Sequence, residues 1–364
     1  MSLSPPWKFL EDQDKGTICI TAPAAENHEF IIPKLYCRER FPEADAEMPA
    51  IVKYNDKKVT KFENKILIPR RIVLNHDYTM HSASFRRRRF NYHGGIKHKG
   101  DDFFVPRRED HKLECREIAD PLYYVDTEHP DIFGHFLIEV LPDLWAFHLI
   151  GIKNLKVATS VKMNSAYLKM LASVGIGSDQ VVHIDGPIKA KTVYVPSVMI
   201  QRRRYVDPTG RDIFERIKSL ANLSKQVDAR RIYVSRSRAP GRGLENEKAI
   251  EAIFEGFGFT IIHPQELPME DQIKLFRDAK MIAGTGGSAM HNAIYSGDDA
   301  KVLILATVNW FVLADAFICR EEGQLGYVFG QSIENDLDPN GRHKSEWSID
   351  PEHVKKAIKA HFSL

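Results

Sequence analysis

From Asp120 onward the chain alternates short apolar, β-rich runs with longer stretches whose apolar positions recur at helical spacing. Leu122 to Val125 predicts a strand and Asp131 to Gly151 a helix. Lys156 to Thr159 predicts a strand, Ser165 to Val174 a helix, Val181 to Ile184 and Lys191 to Val195 two strands, and Pro208 to Ala221 a helix. A charged link, Asn222 to Arg230, follows. The rhythm then resumes with the strand Ile232-Tyr233-Val234, which stops at Ser235, and a helix from about Glu245. Next come a strand from Phe259 to Ile262, a helix from Met269 to Ala279 and a strand from Lys280 to Ala283. A glycine-rich turn, a helix from about Ser288 and a strand from Lys301 to Ala306 complete the series. Strands alternating with helices of this length predict βαβ units and parallel sheets. Residues 331–350 read as a polar connector. Asp350 to His361 reads as a last helix, with Asp350 as N-cap before Pro351.

The pattern before Asp120 is different. Short apolar runs (Thr17 to Thr21, Phe30 to Ile32, Lys65 to Pro69) are broken by prolines, charges and glycines, and no amphipathic helix shows. This predicts short strands packed on the main body. Three regions follow: a β-rich segment over 1–118, a first α/β domain over 119–225 and a second over 226–345. The length of 364 residues agrees with more than one domain.

Composition narrows the class only a little. With 43% hydrophobic and 27% charged residues the chain is an ordinary globular protein, and a net charge of +2 gives no whole-chain attraction to nucleic acid or membrane. Cys19, Cys37, Cys115 and Cys319 are scattered without a Cys-x-x-Cys pair, which suits free thiols and argues against a structural zinc. The opening MSLSPPWKFLEDQDKG has no signal-peptide run, and no stretch reads as a membrane span. The expected location is cytoplasmic, with peripheral membrane association left open.

Ligands of parallel sheets bind beyond the carboxyl ends of the strands. Two such ends carry chemistry here: the basic loop after Ser235, with Arg236, Arg238 and Arg242, and the turn Gly284-Thr285-Gly286-Gly287-Ser288. Arginines and a helix N-terminus aimed at one point suit an anionic ligand, a diphosphate best. Each residue also has a plainer role. Arg236 and Arg238 alternate at a strand end, so at most one of them is expected to point into the site; Arg236 and Arg242 are favoured. Asn246 and Glu247 start a helix and can serve as caps. The glycines suit a tight turn. Glu266 follows a strand, where a carboxylate binds ribose hydroxyls or simply starts a helix. His291 and Asn292, in the first turns of their helix, can pack on the sheet.

The helix from Asp131 carries a second signal. Its interior is apolar except for His135, Glu139 and Asp143, spaced four apart. At about 100° per residue they drift about 40° per step and share one stripe. His135 and Glu139 can form a base and its orienting carboxylate; the alternative is a polar stripe facing solvent. Gly134 leaves room beside His135, and Pro142 predicts a kink or an end. A basic run, Arg86 to Arg89, precedes aromatics and His93. A solvated loop is the favoured reading. The sharper one has Arg87, Arg88 and His93 contact an anionic acceptor, such as a phospholipid-linked sugar or an acidic glycan. Nothing else in the chain supports nucleic acid as a partner.

Taken together these residues resemble glycosyltransferase family 61, whose members attach sugars to glycans or proteins. The resemblance runs from about Asp120 to Phe329. It rests on Gly134-His135 with Glu139, Leu141 and Pro142; on Tyr233-Val234-Ser235-Arg236 with Arg242, Asn246 and Glu247; on Pro264, Glu266 and Leu267; on Gln272 with Leu275-Phe276; and on Gly284 through Asn292. It implies a GT-B-like architecture of two Rossmann-like domains facing a cleft, with 350–364 crossing back to the first domain. It also implies inverting transfer from a nucleotide sugar, usually a UDP-sugar, to a glycan or lipid-linked glycan acceptor in cell-surface or capsular polysaccharide synthesis, with no cofactor and no mandatory metal. His135 and Glu139 would take the acceptor's proton; Arg236, Arg238, Arg242, Asn246, Glu247, Glu266, Gly286, Gly287, Ser288, His291 and Asn292 would form the donor side. Many members carry a histidine where Gly286 stands, so that residue's role does not transfer. Two other readings stay open: a pyruvyl-type transferase acting on a glycan, and a carbohydrate-binding relative without catalysis. No Asp-x-Asp triplet ends a strand, and neither first βα turn has the dinucleotide Gly-x-Gly-x-x-Gly.

Overall fold

The structure is a computed structural model that describes residues 3–9, 15–36, 49–86, 93–201, 204–225, 229–239, 243–307, 314–319, 324–332 and 346–364. Arg87, Arg88 and Arg242 lie outside the described residues. The chain is mixed α/β and divides into two compact units. One comprises residues 1–26, 54–201 and 206–216, the other 27–53, 202–205 and 217–364. Among the described strands no sheet closes into a barrel.

The first unit is built on a mixed sheet in the order Val181–His183, Lys156–Thr159, Leu122–Tyr124, Ile188–Pro196, Lys57–Ile68, Thr17–Ala22. The first four strands are parallel. The last two, from the N-terminal segment, extend the sheet antiparallel. Residues 1–118, expected as short strands laid on the body, thus supply a 12-residue strand hydrogen-bonded inside it. The charges that read as breaks are accommodated inward. Lys57 is buried beside Asp207 at 3.4 Å. Lys65 is buried too, donating to the Glu63 carbonyl at 3.1 Å with its ammonium 5.6 Å from the Phe62 ring centre. Long lysine stems bury while their heads find partners. Leu122–Tyr124 has the next strand in the chain on one side and a later one on the other. Such a reversal of strand order opens a crevice at the carboxyl ends.

The apolar stretch after that strand is helical but not regular. An α-turn, Phe133–His135, passes into a π-helix, Phe136–Val140, then 3₁₀ turns at Pro142–Ala146 and His148–Ile150, ending at Gly151 with φ 70°. Pro142 has no N–H to give, and its ring crowds the carbonyl four residues back. The turn before it opens, and Leu141 N–H reaches the Phe136 carbonyl at 3.2 Å. By length and composition Phe133–Ile150 is a weak candidate for a membrane span, which the sequence reading had not expected. Two thirds of it is buried within the protein, the condition of a core helix.

The second unit has five parallel strands in the chain order 2-1-3-4-5: Thr260–Ile262, Arg231–Val234, Met281–Thr285, Lys301–Thr307 and Leu325–Ser332. This is a doubly wound order, and its switch point lies between Arg231–Val234 and Met281–Thr285. Lys34–Tyr36 adds a parallel edge strand against Leu325–Ser332, and Trp347–Ser348 pairs antiparallel with the far end of that strand. The helices Glu247–Gly256 and Pro351–Phe362 pack together on one face. Ile250, Phe254, Val354, Ile358 and Phe362 close over Tyr233, Ala283, Leu303 and Val328. The sequence reading sends the last helix back to the first domain. The structure seats it on the second unit's own sheet, because its apolar stripe is satisfied by those side chains. The helix expected from Ser288 is a short 3₁₀ helix, Met290–Tyr295.

Candidate functional site

Each unit gathers a polar cluster at the carboxyl ends of its strands. In the first, the chain leaves Leu122–Tyr124 through Asp126 and Thr127, both fully buried. The Asp126 carboxylate accepts from the backbone N–H of Arg71 at 3.0 Å and of Ser160 at 2.9 Å, and from the Ser160 hydroxyl at 2.7 Å. Burial raises its pKa. Arg71, at φ 60°, donates its guanidinium to the Asp126 carbonyl at 2.7 Å. Burial lowers its pKa, with the charge of Arg86 adding to the effect.

His135 and Glu139 meet on the π-turn. Nδ1 of His135 lies 3.0 Å from Oε2 of Glu139, but off the angle of a hydrogen bond. The same Oε2 accepts from Thr127 Oγ1 at 2.6 Å. An i→i+5 turn is wider than an α-turn and sets residues four apart more nearly above one another. The His135 side chain keeps a 14% exposed edge, whereas Glu139 and Asp143 are buried. The stripe is therefore not a solvent-facing one. Behind it, Arg86 Nη1 donates to the Glu139 carbonyl at 2.8 Å and to Asp143 Oδ2 at 2.7 Å. Asp143 Oδ1 accepts the Met199 N–H at 2.9 Å. Arg86, read with its neighbours as solvated, is a buried strut. A second imidazole, His129, lies 4.6 Å from His135 between ring centres. Its ring comes so close to Gly94 that a Cβ there would sit 2.5 Å away. His93 faces inward: Gly95 N–H donates to its Nδ1 at 2.9 Å, so Nε2 carries the proton and donates to the Ser84 carbonyl at 3.0 Å. Burial lowers its pKa.

In the second unit the organising group is Glu247, the first residue of its helix. Its Oε1 accepts the Arg236 N–H at 2.7 Å, the Thr285 hydroxyl at 2.8 Å and the Tyr233 hydroxyl at 3.4 Å. It thereby ties together the two strand ends that flank the switch point. Burial raises its pKa. Gly287 has φ 154°, and a Cβ on it would stand 2.9 Å from Arg236 Nη1, so the guanidinium lies against the glycine turn. Burial lowers the Arg236 pKa, opposed by Glu247. Arg238 points elsewhere, pairing with Glu266 at 2.8 Å on an exposed surface. Gly286 is open, with nothing nearer than 3.5 Å to an added Cβ. Ser288 continues the turn ahead of the 3₁₀ helix.

Asn246 sits at the N-cap position without capping. Its amide instead clamps the Ile349 backbone, donating to the carbonyl at 2.7 Å and accepting the N–H at 3.3 Å. Asn292 donates to Gln272 at 3.3 Å. His291 Nδ1 contacts Asp315 Oδ1 at 2.6 Å, both residues buried. The sequence reading missed Asp126, Thr127, Arg71, His129 and Asp315. Asp126 and Thr127 directly follow an apolar strand and could have been found by position; Arg71 and Asp315 left no local signal. Among the described residues no group of three or more His, Cys, Asp or Glu side chains comes together to hold a metal.

Residues 133–303 match the family described as Glycosyltransferase 61, a span just under half the chain that contains His135, Glu139, Arg236 and Glu247 but not Arg71, Arg86, Asp126, Thr127 or Asp315. The match supports the resemblance to glycosyltransferase family 61 and, with it, a transferase of glycan modification. No curated protein matches the chain.

Proposed function

We propose that this protein is a member of glycosyltransferase family 61 that moves a sugar from a nucleotide sugar, a UDP-sugar, to a glycan acceptor with inversion, within a GT-B-like architecture. The observation that supports this most is Arg236 lying against Gly287 at the strand-order switch point of the second unit. A half-buried guanidinium at the carboxyl ends of the strands suits a diphosphate, whose departure needs positive charge. The reading assigns the donor to that unit, with Arg236 on the diphosphate and Glu247 holding the two loops. It assigns the acceptor's proton to the first unit. His135, kept in place by Glu139, Thr127 and Arg86, takes the proton from the acceptor hydroxyl as the new glycosidic bond forms and the bond to the diphosphate breaks. With arginine in the charge role, turnover is expected to survive EDTA.

A thermal-shift panel of nucleotides and nucleotide sugars tests the reading. UDP or a UDP-sugar should stabilise the protein, by about 2.7 kcal/mol at a hundred times Kd. Arg236→Ala should weaken UDP about tenfold or more, the value of a charge-assisted hydrogen bond. No response to any uridine nucleotide would refute it. The open Gly286 position favours one competitor, a binding relative without catalysis; slow hydrolysis of a UDP-sugar would exclude that.

A further inference from the structure

The first unit holds a cavity outside the clusters described above. Trp7–Lys8 pairs antiparallel with Phe103–Pro106, Trp7 opposite Phe104, so the chain before Trp7 runs beside the chain after Phe104. Trp7 and Phe104 are fully buried in one apolar cluster and anchor that pairing. These two segments line a cavity of about 740 Å³, with Leu3 to Pro5 from the first and residues between Val105 and Leu113 from the second. The volume falls within that of small-ligand sites, about 300–1,000 Å³. The lining carries Arg107, Arg108 and Lys112 against a single carboxylate, Glu109. That carboxylate is already paired with Lys112, and the next one, Asp110, lies 3.9 Å from Arg70. Arg107 donates Nε to the Ile96 carbonyl at 3.0 Å, which fixes its stem. Among the described residues neither Arg107 nor Arg108 has an ion pair. Adjacent uncompensated guanidiniums match a carboxylate or a phosphate.

His111 adds a fixed polar atom. It is buried on the 3₁₀ turn Asp110–Lys112, its ring perpendicular to that of Trp7 at 5.7 Å between centres. Nδ1 reaches the Arg108 carbonyl at 3.3 Å; a carbonyl only accepts, so Nδ1 carries a proton. Nε2 takes no hydrogen bond among the described residues. A hydroxyl, which both donates and accepts, is its natural partner. Leu3, Pro5 and Leu113 supply apolar surface for the C–H face of a ring. The cavity is also tied to the His135 cluster. Arg107 N–H donates to the Gly95 carbonyl at 2.8 Å, and the neighbouring Gly94 lies against His129, whose ring is 4.6 Å from that of His135.

We propose that this cavity is a subsite for an acidic saccharide, where Arg107 and Arg108 bind a carboxylate or phosphate of the acceptor glycan and His111 binds a hydroxyl. This rests on the assignment of the acceptor to the first unit and adds what the acceptor is: a charged glycan, gripped away from the hydroxyl that reacts. The lining lies wholly outside the 133–303 span of the family match, so the preference belongs to this chain's N-terminal region.

The experiment is calorimetric titration of the full-length protein with five probes at low salt. Tetragalacturonate and a hyaluronan tetrasaccharide carry carboxylates, mannose 6-phosphate carries a phosphate, and maltotetraose and inorganic phosphate are the controls. At least one acidic saccharide should bind, more tightly than either control, and the one that does names the anion. Arg107→Gln with Arg108→Gln should weaken it about tenfold, since one exposed ion pair is worth at most about fivefold. Lys356→Gln with Lys359→Gln, an equal loss of charge on exposed positions of the last helix, should leave it unchanged. Both double variants are checked for an unchanged melting profile. Binding of no acidic saccharide, binding no tighter than that of the controls, or equal loss in the two double variants would overturn the proposal. So would phosphatidylglycerol vesicles held through the same arginines without saccharide binding. UDP titrated into the same samples separates the two readings. If UDP binds and no acidic saccharide does, the subsite fails and the donor assignment stands; if only the saccharide binds, through Arg107 and Arg108, the reverse holds.

Discussion

Alanine at Gly287, with alanine at Gly286 as its neighbour control, separates what the glycine turn does for the backbone from what it does for the ligand. At Gly287 φ is 154°, a value L-residues rarely adopt, and an added Cβ would stand 2.9 Å from Arg236 Nη1. The backbone alone should cost about 1–3 kcal/mol. The arginine tip is flexible and will give way, so the clash adds little to the folding cost but moves the guanidinium off the turn. If that guanidinium holds the diphosphate, UDP affinity should drop about tenfold or more, the worth of one charge-assisted hydrogen bond. At Gly286 the nearest atoms to an added Cβ, Ile304 Cγ2 and the Leu305 carbonyl, are at 3.5 Å, an ordinary contact. Gly286→Ala should be neutral, or stabilise by about 0.4–1 kcal/mol through the unfolded chain. Urea unfolding and UDP titration of the two variants read both quantities. Equal destabilisation by the two changes, or a Gly287→Ala protein with unaltered stability and UDP affinity, would refute the reasoning.

His135→Ala should lower turnover by about 10²–10⁴ while leaving UDP affinity near the wild type, and Glu139→Gln should cost less. Full turnover in both folded variants would make the pair structural, and greater damage from Glu139→Gln would make the carboxylate the base. His361 gives a pH prediction. It is buried in the last helix, with Nε2 donating to the Gln324 carbonyl at 3.1 Å and Nδ1 3.4 Å from the Tyr36 hydroxyl. Burial lowers its pKa to about 4. Between about pH 6.5 and 4 the unfolded chain binds the proton and the folded one does not. Stability should therefore fall as pH drops through that window, by up to about 3 kcal/mol. His361→Gln should flatten this dependence, and urea midpoints with the same pH slope in both proteins would show that the residue does not titrate there.

The local pattern was enough for much of the α/β part. The strands at Leu122, Lys156, Arg231, Met281 and Lys301, the helices at Ser165, Glu247 and Met269, and the loop at Arg236 stand where alternation and helical spacing put them, while Gly284 and Thr285, read as turn, still belong to the strand Met281–Thr285. Period reports which positions of an element are buried, and a strand followed by polar or glycine residues reports where a carboxyl end opens. Neither reports what an element is buried against. Lys34–Tyr36 became an edge strand of the second sheet, Lys57–Ile68 an inner strand of the first, and the last helix a cover for its own unit. These outcomes depend on contacts with segments tens to hundreds of residues away, which leave no trace in neighbouring side chains.

The same limit decides the clusters. His135 and Glu139 were legible because they lie one turn apart, although the π-turn that stacks them depends on how the chain relaxes before Pro142. Arg86 could not be told from its exposed-looking run, since its burial is compensated by Asp143 and the Glu139 carbonyl, more than fifty positions later. Asp315 became the partner of His291 through the packing of two short helices. A charged side chain is stable inside only when its counterpart arrives, and which counterpart arrives is settled by the tertiary fold.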